Sequence, residues 1–335
     1  MDEIITLNHG AGGRQSHDLI SRVFAAAFGM PMPLTDSAII EDAGNTLAFT
    51  TDSYVVDPVF FPGGDIGKLA ICGTVNDLAV SGAIPKYISA SFIIEEGFPV
   101  VYLRKIVESM AAEAREAGVK IITGDTKVVE KGKCDHLFIT TSGIGMLHRE
   151  RVGISAGKKV AQGDKLIING SLGNHAIAVL GSRNSLSFTT PVISDCAHLN
   201  HLINKVLEKC KKVNFMRDLT RGGLSGVLNE LASICEKGIS IDESSIPVDD
   251  PVRGACEMLG FDPLYLANEG KFLIVSASSE SEEILSILKS DPLGKNSAII
   301  GEIAVHEAGR VVLKTLTGGK RILDTPSGNQ LPRIC

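Results

Sequence analysis

The sequence predicts two α+β domains followed by a short flexible tail. Three observations carry that expectation. The chain has 335 residues, which as a prior corresponds to about two domains of roughly 150 residues each. Apolar runs of strand length and apolar stripes of helical spacing mix in each half without the strict βαβα order of a doubly wound parallel sheet, so substantially antiparallel or mixed sheets are expected. Between residues 153 and 163, Ser, Gly and Lys replace the apolar pattern, which marks a boundary. The expected units are residues 1–155, residues 156–323 and a tail over 324–335.

Each element has its own signal. Residues 46–51 read as a strand ending at Asp52, and the nearly all-apolar residues 87–94 as a central strand. Leu103, Ile106, Val107, Met110 and Ala114 recur at helical spacing until Gly118 stops the helix. Residues 119–123 form a short strand that runs into Gly124-Asp125-Thr126-Lys127, and residues 137–146 form a longer one. The second half opens with a strand at 165–169, followed by helices at 199–210 and 223–235. In the latter, Leu224, Val227, Leu228, Leu231 and Ile234 share one face. Strands return at 271–275, 297–303 and 310–313. The tail, Thr325-Pro326-Ser327-Gly328-Asn329-Gln330-Leu331-Pro332-Arg333-Ile334-Cys335, is rich in Pro, Gly and Ser and has no chain after it to hold it down.

Composition narrows the function. The hydrophobic fraction is 44% and the charged fraction 21%, ordinary globular usage. With no Trp and four Tyr, the core must rest on Ile, Val, Leu and Ala. A net charge of -6 disfavours a nucleic-acid partner. The seven cysteines include no Cys-x-x-Cys pair, and an odd number in a long chain argues against a disulfide framework. No run reaches the ~18 apolar residues of a membrane span. Met1-Asp2-Glu3-Ile4 opens without an apolar signal, so a cytoplasmic protein with reduced thiols is expected.

Several residues can carry chemistry. Asp42, Asp52, Asp77, Asp125 and Asp218 each sit at an element end or in a Gly-rich loop. Singly, such aspartates are caps or turn residues. Together, with Asn76 and Lys127 close by in sequence, they suit a hard cation that bridges carboxylates to phosphates. The segments His9-Gly10-Ala11-Gly12-Gly13 and Gly63-Gly64-Asp65-Ile66-Gly67-Lys68 can present backbone N–H groups to phosphate, or be plain turns. Lys127, two residues after Asp125 on an extended segment, points to the same side; it can hold phosphate or carry a proton. Glu269, just before a strand, is a candidate general base or a solvated turn residue. His175 reads as a capping or core histidine. Arg217 and Arg221 flank Asp218 and either bind phosphate or balance charge. Cys335 is a thiol on a segment free to enter and leave a pocket.

The stretch from Thr51-Asp52-Ser53-Tyr54 through Phe60-Phe61-Pro62-Gly63-Gly64-Asp65-Ile66-Gly67-Lys68 and Gly73-Thr74-Val75-Asn76-Asp77-Leu78-Ala79 resembles the HypE family. These are the carbamoyl dehydratases that make the cyanide ligands of [NiFe]-hydrogenases. Residues 9–13, 124–130 and 218–223 and the terminal Pro332-Arg333-Ile334-Cys335 fit the same family, so the resemblance spans essentially the whole chain. The Asp motifs are shared with the wider PurM-like ATP-binding superfamily. Two departures stand out: Glu41-Asp42 replaces a paired Asp, and Gly173-Asn174-His175-Ala176 replaces Gly-Asp-His-Gly, so no metal role carries over to Asn174.

The resemblance implies a two-domain PurM-like α+β fold, a homodimer whose N-terminal sheets join into a barrel, and Mg2+ and ATP bound between the domains. It implies catalytic roles for Cys335, Lys127 and Glu269. It assigns ATP contacts to Asp52, Asn76, Asp77, Asp125, Lys68 and Gly64, and metal contacts to Asp42, Asp52, Asp77, Asp125 and Asp218. A partner carbamoyltransferase would load Cys335; ATP-dependent dehydration would leave a thiocyanate; an iron scaffold complex of two maturation proteins would accept the cyanide. Two alternatives stand beside this reading: a PurM-like small-molecule kinase or synthetase with an idle tail, and a non-catalytic nucleotide-binding assembly factor.

Overall fold

The structure, a computed structural model, describes residues 13–19, 21–22, 35, 38–42, 45–183, 192–305, 307–325, 331 and 333–335. A short helix α1 (Arg14–Leu19) precedes the first sheet. In chain order follow β1 (Ala38–Asp42), β2 (Asn45–Tyr54), the small hairpin β3 (Phe60–Phe61) and β4 (Gly64–Asp65), α2 (Ile66–Val80), β5 (Ala83–Glu95), α3 (Val100–Ala117), β6 (Lys120–Val129) and β7 (Leu137–Leu147). The five long strands form one sheet in the order β1-β2-β7-β5-β6. All of its pairings are antiparallel except β5 with β6.

Helix α2 is the centre of this half. Every residue in it except Lys68 and Asp77 is buried, so it lacks the polar face that makes a surface helix legible. Asp65 caps it by accepting from Gly67 N at 2.7 Å and Lys68 N at 3.1 Å. One side meets the sheet and the other meets α3. A Cβ on Gly67 would lie 2.5 Å from the Ile106 carbonyl and 2.7 Å from Met110 Cγ, so glycine lets the two helices approach. Helix α3 is amphipathic and ends, as its sequence predicts, at Gly118, whose φ of 73° is left-handed.

The second half contains β8 (Lys165–Ile168), α4 (Asn174–Arg183), α5 (Asn200–Lys209), β9 (Val213–Asp218), α6 (Gly223–Cys235), β10 (Gly238–Asp242), α7 (Asp250–Leu259), β11 (Phe272–Ser276), α8 (Ser281–Lys289), β12 (Ala298–Ala304), β13 (Val311–Lys314) and β14 (Lys320–Ile322). Its sheet runs β14-β13-β10-β12-β8-β11-β9. Only β10 and β13 pair in parallel. Both sheets therefore match the mixed, largely antiparallel class that the irregular order of elements predicts.

The two halves share a core. The largest apolar cluster of the first half includes Val179, Cys196 and Ala267 of the second, and Ile334 of the tail. Asn76 on α2 ties them further, donating to Ala197 O at 3.0 Å and accepting from Leu199 N at 2.8 Å. The tip of the tail departs from the expectation of an unpacked segment. Ile334 is 5% exposed and joins this core. A buried isoleucine contributes about 1.5–3 kcal/mol, which helps to seat this short segment.

Candidate active site

Strand β2 alternates strictly: Thr46, Ala48, Thr50, Asp52 and Tyr54 point inward. That period places a carboxylate, Asp52, on the core face. It accepts from Thr74 Oγ1 at 3.3 Å and is hydrogen-bonded to Asp77. Burial raises the Asp52 pKa against the opposing pull of Arg221 and these hydrogen bonds. Thr50 Oγ1 donates to Asp77 Oδ2 at 2.7 Å and holds that second carboxylate in place. Asp77 is one of the two residues of α2 that escape full burial.

Glu269 comes from the other half. Its neighbours pin it. Asn268 donates to Leu219 O and Leu266 O and accepts from Gly173 N. Gly270 N donates to Asp195 Oδ2 at 3.0 Å. Glu269 itself is 3% exposed, and its Oε1 is buried without a hydrogen-bond partner. Burial, then the charges of Asp218, Asp195 and Asp52, push its pKa well above the usual carboxylate range, with Arg221 opposing. A carboxyl so placed is a proton acceptor poised nearer neutrality than an exposed one.

Between these groups lies Cys335. The tail enters beside residues 55–57: Val55 N donates to Cys335 O at 3.1 Å and Asp57 N to Arg333 O at 3.3 Å. Arg333 Nε donates to Val55 O at 2.9 Å, and its guanidinium pairs with Asp135. Arg183 Nη2 donates to Arg333 O at 2.6 Å, and His175 Nε2 lies 2.8 Å from Ile334 O. The thiol is pushed up to about 12, first by desolvation, then by Glu269, with Asp52 and Asp218 adding and Arg221 opposing. Arg221 is in turn held protonated by Cys335, Asp52 and Glu269.

The structure thus gathers Asp52, Asp77, Asp218, Glu269 and Cys335, drawn from β2, α2, the end of β9, the loop before β11 and the chain terminus. It separates others. Asp125 and Lys127 lie on β6, the outermost strand of its sheet, and pair with each other at 2.6 Å in full solvent contact. They are not among the charges that act most on Cys335 or Glu269. The cause is position in the sheet, since β6 is an edge strand with a partner on one side only. Lys68 Nζ donates to Gly63 O at 3.3 Å at the start of α2, and Gly64 sits against the Phe61 ring. Asn76 is 2% exposed and engaged in holding the two halves together. Asp42 ends β1, and its side chain lies outside the described residues, as do residues 9–12. Arg217 turns away to Glu230 at 2.9 Å and balances charge there, while Arg221 faces the cluster.

Sequence reasoning missed the residues that receive the tail. His175 is a core histidine as expected, but its ring also meets the terminal backbone. Asp195 was silent in sequence because it has no motif; it caps α4 by accepting from His175 N at 3.0 Å and pairs with Lys271 at 3.4 Å.

The donor set fits a magnesium nucleotide. Among the described residues, the inward carboxylates Asp52, Asp218 and Glu269 face the Arg221 guanidinium, and Glu269 Oε1 is a buried oxygen acceptor with no hydrogen-bond donor. Among the described residues no helix is long and apolar enough to cross a membrane.

Comparison with known proteins identifies the family. Family models for the N-terminal and C-terminal domains of AIR synthase related protein match residues 34–147 and 161–314. The carbamoyl dehydratase HypE of Rhodobacter capsulatus is 49% identical over 100% of this chain and 99% of its own. That of Escherichia coli (strain K12) is 47% identical over 99% of each. A crystal structure of a HypE-HypF complex superimposes with a TM-score of 0.86 at 48% identity, covering 92% of this chain and 99% of that one. One of HypE in complex with ATP gives 0.84 at 44% identity, covering 99% and 100%. The chain belongs to the HypE family of carbamoyl dehydratases.

Proposed function

We propose that this protein is an ATP-dependent carbamoyl dehydratase that converts an S-carbamoyl group on Cys335 to a thiocyanate for the iron centre of a [NiFe]-hydrogenase. The observation that carries this reading is the Cys335 sulfur seated among Glu269, Arg221, Asp52 and Asp218. A small-molecule kinase has no use for a terminal sulfur in that place.

ATP bound with Mg2+ supplies the phosphoryl group that makes the carboxamide oxygen a leaving group, with ADP and phosphate as products. Asp52, Asp77 and Asp218 are the residues placed to hold the metal. Cys335 Sγ carries the reacting carbon throughout, and its C–S bond is not broken in this step. The carboxamide loses its oxygen to phosphate and both N–H protons. Glu269 Oε1, buried and unpartnered, is the acceptor for one of them. Arg221 offsets the carboxylates around the sulfur. The packed tip, Ile334 above all, keeps bulk water out.

Asp125 and Lys127 enter through a second copy of the chain. The outer face of the first sheet exposes Phe49, Tyr87, Ile122, Ile144 and Met146, a patch unlike an ordinary monomer surface. Two such faces joined as a homodimer with a shared barrel would cover it and give β6 a partner. The partners are a carbamoyltransferase, in line with the solved HypE-HypF complex, and an iron scaffold complex of two maturation proteins that takes the cyanide. The setting is cytoplasmic, and the units are residues 1–155, 156–323 and 324–335. The test is intact mass spectrometry of the carbamoylated protein with and without Mg-ATP. ATP-dependent loss of one water mass from the C-terminal peptide is expected; a carbamoyl group that persists with Mg-ATP refutes the reading.

A further inference from the structure

The tip of the tail is held by its backbone. Three successive residues accept hydrogen bonds at their backbone oxygens, from Arg183 Nη2 and Asp57 N at Arg333, from His175 Nε2 at Ile334, and from Val55 N at Cys335. Arg333 meanwhile has a φ of 55°, a left-handed conformation that a side-chain-bearing residue adopts only when its surroundings impose it. The seat therefore works against local strain, and each contact that holds it matters.

His175 is the contact at the residue next to the reacting cysteine. Its ring is fully buried, edge-on to Phe61 at 5.3 Å. A core role would explain the burial. It does not explain a ring nitrogen aimed at a carbonyl 159 positions away in sequence. The chemistry of the partners sets the tautomer: a carbonyl only accepts, so Nε2 carries the proton and Nδ1 accepts from Ser194 Oγ at 2.8 Å. Ser194 Oγ in turn accepts from Cys196 N at 3.1 Å, which leaves its hydroxyl proton for Nδ1. Asp195 fixes the His175 backbone. The imidazole is thus oriented from three sides toward the tail.

We propose that His175 is a positioning residue for the dehydration: its Nε2–H holds the Ile334 carbonyl and so seats Cys335 Sγ beside Glu269. The role rests on the reading of Cys335 as carrier of the reacting group, but its test does not. His175→Asn keeps an amide near Ser194 and falls short of Ile334; His175→Gln reaches with an N–H to the position of Nε2. The full-length protein is digested with a carboxypeptidase, and loss of Cys335 is followed by intact mass, because cleavage tracks the population of the undocked tip. His175→Asn should be trimmed about tenfold faster than wild type, the loss expected when a buried acceptor is left unpaired, and His175→Gln should return most of that protection. In carbamoylated protein, His175→Asn should slow ATP-dependent water loss by a similar factor while the half-saturating ATP concentration stays unchanged. Arg183→Met, which removes the neighbouring bond to Arg333 O, provides a second variant should His175→Asn fold poorly, and it too should be trimmed faster. Trimming of His175→Asn at the wild-type rate, or no protection from Gln over Asn, overturns the proposal. If trimming responds as stated while no variant, wild type included, loses water with ATP, the His175 contact that docks the tip stands, while the dehydratase reading falls and with it any role of His175 in dehydration.

Discussion

Replacing Ile334 with alanine separates a docked tail from a free one. In the docked tip the Cys335 thiol is pushed up to about 12 from an ordinary 9.0. At pH 8 that changes the ionised fraction from about one in ten to about one in ten thousand, a factor of roughly a thousand. Alkylation needs the thiolate, so iodoacetamide reacts almost wholly through the undocked tip. Linkage then requires that docking raise the apparent pKa of Cys335 above 9.0, by more the firmer the seat. Ile334 is 5% exposed in the main core. Truncating such a residue to alanine costs about 2 kcal/mol at the low end, which is about thirtyfold in the docking equilibrium. The assay is the rate of alkylation of the peptide Arg321–Cys335, released with a lysine-specific protease, over pH 7 to 11. In Ile334→Ala the rate at pH 8 should rise by up to about thirtyfold, and the apparent pKa should fall toward 9.0 by up to about 1.5. A wild-type protein that alkylates like a free peptide of the same sequence, or a variant with an unchanged profile, refutes the docked geometry.

Glu269 has its pKa raised in the folded state, so folding binds its proton more tightly than the unfolded chain does. The sign follows: stability from this group is present below the unfolded value of 4.5 and is lost as pH rises through the raised one. Glu269→Gln should therefore melt higher than wild type at pH 8 but not at pH 4 in a calorimeter, and lose ATP-dependent dehydration; a lower melting temperature at pH 8 contradicts the burial argument. Cys335→Ala should abolish thiocyanate formation while nucleotide affinity, measured by titration calorimetry, stays near wild type; a large loss of affinity speaks against a tail that only delivers the reacting group. Ile122, 59% exposed on β6, should on substitution with Lys halve the mass seen by light scattering if that face joins two copies, and an unchanged mass removes the barrel. Gly73→Ala places a Cβ against the Tyr54 hydroxyl at the heart of α2, and overpacking of this kind should destabilise the protein by about 1–3 kcal/mol in denaturant unfolding.

What was legible in the sequence follows the physics of each element. Amphipathic helices such as α3 and α6 were visible because one face is apolar, and α3 ended at its left-handed glycine. Strands β5 and β7 were visible as apolar or alternating runs. Helix α2 was not, because burial on all sides leaves no period to detect. Asp52, Asp218 and Glu269 were readable as carboxylates near element ends, whereas Asp77 lies inside α2 and Asp125 inside β6, not at ends or in loops as expected; the convergence on Cys335 came from the resemblance. No local pattern reports it, since Asp52 and Glu269 lie more than two hundred positions apart. His175 was readable only as a capping or core histidine, and Ser194 and Asp195 were not singled out. His175 meets a backbone oxygen of the tail while Ser194 and Asp195 orient it, and backbone acceptors leave no mark on composition.

The charge around the sulfur gives the docked state a chemical selectivity. A thiol, an S-carboxamide and a thiocyanate are all uncharged at the sulfur, so none carries the charge penalty imposed by desolvation and by Glu269, Asp52 and Asp218. A thiolate is, by the same factor of roughly a thousand that raises its pKa to about 12. Loading Cys335 requires a nucleophilic thiolate, and that step is thereby confined to the undocked tip, where a partner can reach it. Dehydration needs the opposite: a neutral group held against a buried base with water excluded. The two halves of the cycle are thus separated by the electrostatics of one pocket. A variant that relieves the penalty, Glu269→Gln, should make the docked thiol more acidic, and the alkylation rate of Cys335 should then level off at a lower pH than in wild type. If the profile of Glu269→Gln levels off at the wild-type pH, the carboxyl does not act on the sulfur and this division of labour fails.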